Sequence, residues 1–198
     1  MSNPLRIALL TLLLASAGVL GSCVDPVHNA QVKALGPEAS GVPQGEFHRA
    51  GQPCTTCHED TGPASTVFSV AGTIFYGPER AIGAGGVEVL MVDSDGAKRS
   101  VTTNCVGNFF IPRDSWDPAF PILVSIAQGT TTVSMKSAIS RDGSCANCHR
   151  DPPSFDTPGH VRLLATDKNV TIPAGCPVSP QLLAPGEQPA ATGGTGGK

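Results

Sequence analysis

Val87-Glu88-Val89-Leu90-Met91-Val92-Asp93-Ser94-Asp95-Gly96 decides the fold class. Val87, Val89 and Met91 alternate with Glu88, Leu90 and Val92, the period of a strand with one face toward a core. Asp93-Ser94-Asp95-Gly96 then stops it, because short Asp side chains bond local amides and Gly accepts positive φ. Upstream, Val67 to Tyr76 is rich in β-branched and aromatic residues and reads as another strand. Downstream, Ala97 to Thr103 forms a third, with Val101 inward. Asn104 to Asn108 turns into Phe109-Phe110-Ile111, and Pro112 to Pro118 is a loop. Ile122 to Ala127 and Thr130 to Lys136 pair around Gln128-Gly129. Six short strands predict a mainly β protein, a β-sandwich of Ig-like type. No long amphipathic helix is visible.

Two short segments flank this sandwich. Cys54-Thr55-Thr56-Cys57-His58 and Cys145-Ala146-Asn147-Cys148-His149 are copies of C-x-x-C-H, the attachment signature of a c-type haem. Two thiols three residues apart on a helical turn face one side, as needed to join two vinyl groups of one macrocycle. The following His58 or His149 can then ligate the iron. The expected cofactors are therefore two covalently bound haems c. A zinc site on the four thiols is the rival. Structural zinc usually closes a loop of about 12–20 residues between its knuckles. Here 87 residues intervene, and both His residues would go unused. A redox dithiol lacks the surrounding βαβ pattern.

The N-terminus predicts export. Ile7 to Leu20 is an apolar run of signal-peptide length, broken only by Thr11 and Ser16. Leu20-Gly21-Ser22-Cys23 looks like a bacterial lipobox, making Cys23 the lipidated first residue of the mature chain. The alternative is an ordinary signal with Cys23 as a free thiol, a liability in an oxidising compartment. Of seven cysteines, four are assigned to haem and one to lipid. The remaining Cys105 and Cys176 are expected to pair as a disulfide, the alternative being two separate thiols. The chain divides into a signal over 1–22, a Pro/Gly-rich flexible tether over 23–45 and a first haem segment over 46–66. The sandwich spans 67–137, a second haem segment 138–176 and a disordered tail 177–198. Thirteen Lys and Arg without a cluster exclude a nucleic-acid footprint. The expected location is the bacterial cell envelope, lipid-anchored, on the periplasmic side or the cell surface.

Val70-Ala71-Gly72-Thr73-Ile74, Gly85-Gly86-Val87-Glu88-Val89, Asp95-Gly96, Thr103 and Gly107-Asn108-Phe109 together resemble the carboxypeptidase regulatory-like domain. The resemblance covers roughly residues 67–135 and departs from the family at Cys105, where a polar turn residue is usual. It implies a transthyretin-like sandwich serving as a scaffold, not catalysis. The whole looks like a dihaem c-type cytochrome lipoprotein with an embedded β-sandwich. An even strand count between the motifs would return the chain to its starting end and bring both haems to one pole.

Of the five His, His48 is the leading distal ligand, serving either haem, and His160 the second. Arg49 is placed to reach a haem propionate. The alternative for His160 is a loop position beside the second haem. His28 lies in the tether and is expected to be solvated. Met91 and Met135 fall in strand patterns and read as core. With no nucleophile–base pair apparent, the expected role is an electron-transfer relay rather than an enzyme. Its partners would be redox proteins, other multihaem cytochromes among them, and a membrane through the lipid anchor. The alternatives are a haem enzyme or gas or redox sensor with one open iron position, and a lipid-anchored binding sandwich.

Overall fold

The computed structural model describes residues 25–39, 41–42, 44–78, 82–166, 170–171 and 175–177. The signal segment, Cys23 and most of the tail lie outside them. No helix among the described residues is long and apolar enough to cross a membrane. The chain forms two compact units, residues 1–36 and 37–198. The first holds helix α1 (Pro26–Ala34). Asp25 caps it, its Oδ1 accepting from the Val27 and His28 amides at 2.9 and 3.2 Å, and Pro26 opens the first turn. The tether reading held no such element. His28, read as solvated, is buried in this helix.

The second unit is mainly β, with seven strands in two sheets among the described residues. They are β1 (Phe68–Phe75), β2 (Glu88–Val92), β3 (Lys98–Thr102), β4 (Asn108–Pro112), β5 (Leu123–Gln128), β6 (Thr131–Ser134) and β7 (Val161–Arg162). One sheet runs β4-β1-β7 and the other β3-β2-β5-β6. Six of the strands follow the sequence pattern closely. β7 has two residues and lies parallel to Ile74-Phe75, so it leaves no periodic signal. Val70, Ile74, Phe109 and Ile111 from the first sheet share one buried cluster with Val89, Met91 and Ile126 from the second. Met91 is thus core, as its alternation requires. The turn after β2 works as its chemistry dictates: Asp93 Oδ1 accepts from the Asp95 and Ala97 amides.

Strand β1 positions everything that follows. Seven of its eight residues are buried, because both of its faces are covered. Ala71 donates its amide to the Gly143 carbonyl at 2.9 Å, and Ser144 bridges to Ala71 in parallel. Gly143 must be glycine here, since a Cβ would stand 1.8 Å from the Ser69 carbonyl oxygen. Thr73 Oγ1 accepts from the Gly51 amide at 2.8 Å and donates to Asn108 Oδ1 at 2.7 Å. Asn108 Nδ2 in turn donates to the carbonyls of His48 (2.9 Å) and Glu46 (3.2 Å). Cys105 and Cys176 form a disulfide with Cα atoms 5.9 Å apart, tying the turn before β4 to residues far downstream.

Candidate functional site

Each C-x-x-C-H folds as one helical turn. Cys54–Thr56 is a 3-10 turn in which the Cys57 and His58 amides donate to the Cys54 carbonyl at 3.1 and 3.0 Å. Cys145–Cys148, designated α2, is a single α turn closed by the His149 amide on the Cys145 carbonyl at 2.8 Å. All four thiols are free. Burial pushes the Cys54 thiol up to about 11 and that of Cys145 to about 12, with the neighbouring Cys54 adding to the latter. Both motifs lean on β1. Cys145 covers Gly72, Gly51 bonds Thr73, and His58 stacks on Phe68 with ring centroids 4.0 Å apart.

The imidazoles after the thiols are both oriented through Nδ1. His58 Nδ1 meets the Thr66 carbonyl at 2.8 Å, and His149 Nδ1 meets the Gly159 carbonyl at 3.0 Å. A carbonyl can only accept, so each Nδ1 carries the proton and each Nε2 keeps its lone pair for a metal. Neither Nε2 has a hydrogen-bond partner among the described residues.

The two other candidates are brought to the same places. His48 approaches His58, ring centroids 6.0 Å apart and planes at 61°. His160 stacks on Phe75 at 4.4 Å, and its Nε2 is 3.6 Å from where a Gly51 Cβ would sit. Burial, the largest cause, lowers the basicity of both rings, against the opposing pull of Glu38 on His48 and of Asp151 on His160. Neutral rings are the form that binds metal.

Sequence reasoning missed the carboxylates that face these two rings. Glu38 Oε1 lies 3.5 Å from His48 Nδ1, and Asp151 Oδ2 lies 3.2 Å from His160 Nδ1. Each carboxylate is paired with an arginine. Arg49 Nε reaches Glu38 at 3.0 Å, and Arg162 Nη2 reaches both Asp151 oxygens at 2.8 and 2.7 Å. Arg49, read as a propionate partner, bonds Glu38 Oε1 through Nε and Gln52 Oε1 through Nη1 at 2.8 Å. A signal was present: Glu38…His48-Arg49 and Asp151…His160…Arg162 are similar triplets.

Among the described residues no three His, Cys, Asp or Glu converge as an all-protein metal site would need. A haem iron asks less, since the macrocycle supplies four of its ligands and the protein at most two. The free thiols on each turn and the Nδ1-anchored rings of His58 and His149 fit that group. No protein-family model matches the chain, and neither curated proteins nor solved structures give a match.

Proposed function

We propose that the protein is an extracytoplasmic, lipid-anchored dihaem cytochrome c that relays electrons at the bacterial cell envelope. Cys54 and Cys57 would hold one haem and Cys145 and Cys148 the other, with His58 and His149 as proximal and His48 and His160 as distal ligands. The two sheets would be the scaffold, a sandwich of the transthyretin-like kind that the carboxypeptidase regulatory-like resemblance implies. The observation that supports the reading is that each C-x-x-C-H forms one helical turn whose His gives its Nδ1 to a backbone carbonyl and keeps Nε2 for a metal, with His48 beside His58.

Bound haem supplies a one-electron iron couple. The chain's part is to orient four rings and bury the thioether edge against β1. With His58 and His48 on one iron and His149 and His160 on the other, a bound haem would have no open position for substrate and little to reorganise on reduction, which would suit a relay. Intact mass after acid–acetone extraction should show two haem additions, and oxidised and reduced spectra should show two low-spin haems. Loss of all haem in the extraction, or zinc in its place, overturns the reading. One five-coordinate iron would move it to a haem enzyme or a gas or redox sensor.

A further inference from the structure

The four imidazoles fall into two classes by what faces Nδ1. The proximal rings, His58 and His149, meet neutral carbonyls at 2.8 and 3.0 Å. The distal rings, His48 and His160, meet carboxylates at 3.5 and 3.2 Å. The same division occurs at both motifs, on unrelated segments of chain. At both, the carboxylate is backed by an arginine. Asp151 is further fixed because its Oδ1 accepts the His160 backbone amide at 2.9 Å. Neither contact is a hydrogen bond: His48 Nδ1, His160 Nδ1 and Glu38 Oε2 are all buried without a hydrogen-bond partner, so each carboxylate acts on its ring as a nearby charge.

We propose that Glu38 and Asp151 are positioning residues that orient the distal imidazoles and lower the reduction potentials of the two haems, with Arg49 and Arg162 moderating that effect. The proposal rests on the dihaem reading above. A carboxylate on the far side of the ring places a negative charge behind the ligating imidazole, favouring an orientation with Nε2 toward the metal. A negative charge near the iron stabilises the ferric form, which carries one more positive charge than the ferrous, so the potential falls. The arginine cancels part of that charge. A neutral carbonyl on the proximal side gives orientation without this bias.

Spectroelectrochemical titration of the haem-loaded full chain tests it, comparing wild type with Asp151→Asn and Glu38→Gln. Each variant keeps shape and removes one charge. Each is expected to raise the potential of one haem by about tenfold in the reduction equilibrium, or about 59 mV for a one-electron couple. The other haem should stay nearly unchanged, and Arg162→Gln should shift its haem the opposite way. Low-spin variants in which neither equilibrium moves as much as threefold overturn the proposal and leave the dihaem reading intact. A wild-type protein without covalent haem overturns the dihaem reading itself. Should Asp151→Asn fail to fold, Glu38→Gln at the independent site decides by the same threshold.

Discussion

Gly72→Ala probes the seat of the second C-x-x-C-H turn directly. Gly72 lies in β1 without positive φ, so alanine meets no backbone strain there. Its Cβ, however, would stand 2.7 Å from both Cβ and Sγ of Cys145 and 3.1 Å from Phe109 Cε1. Carbon–carbon contacts prefer about 3.5–4.0 Å, so Cys145 has to retreat by roughly 1 Å. It cannot slide freely, because Gly143 and Ser144 are bonded to Ala71. Phe109 cannot yield either, being buried in the common core. Overpacking of this kind costs about 1–3 kcal/mol. The loss of glycine's chain entropy offsets about 0.5–1 kcal/mol. The net expectation is a loss of about 1–2 kcal/mol, or a melting point lower by roughly 4–10 °C. Intact mass should also show single-haem protein accumulating, because the displaced Cys145 thiol misses its vinyl group while the first motif is untouched. Thermal melts and mass spectra of the two proteins, expressed alike, give both readings. An unchanged melt with full double occupancy would refute the placement of Cys145 over Gly72.

Asn108→Ala removes the donor to the His48 and Glu46 carbonyls and strands a buried Thr73 hydroxyl. A denaturant midpoint should report a loss of about 1–3 kcal/mol, and part of one haem should turn high-spin. His48→Ala should make one haem high-spin and open to carbon monoxide, leaving the other as in wild type by visible spectroscopy. The double change Cys105→Ser with Cys176→Ser opens a loop with a sequence separation of 71 residues. Urea unfolding should show a loss of roughly 4 kcal/mol on the chain-entropy account. Cys23→Ala should move the protein from the membrane to the soluble fraction on cell fractionation.

The strands were legible because their information is local. Val87, Val89 and Met91 announce a buried face by period alone, and all three are almost fully buried. β7 was not legible, since two residues carry no period and its place depends on β1 lying alongside. Helix α1 had a readable start in Asp25-Pro26, but the glycines and prolines that follow dominate the composition of that stretch. The site divides in the same way. The C-x-x-C-H turns are encoded in five adjacent residues each. Glu38 and Asp151 share a spacing of ten and nine residues ahead of a His and eleven ahead of an Arg, but that likeness gains meaning only when the fold brings each ring back onto its acid. The two-sided burial of β1, likewise, follows from what packs on it rather than from its own letters.

The covering of β1 has a geometric consequence. Phe68 touches His58, Gly72 touches Cys145, Thr73 touches the Gly51 amide and Phe75 touches His160. Eight consecutive residues thus act as a ruler for both motifs, graduated at about 3.3 Å per residue. Eighty-seven residues of chain separate Cys57 from Cys145, yet their number does not enter the spacing. Lengthening the loop at Asp93–Gly96 or at Gln128–Gly129 would leave the two motifs where they are, whereas adding or removing one residue within β1 would change their separation and turn one of them to the opposite face of the strand.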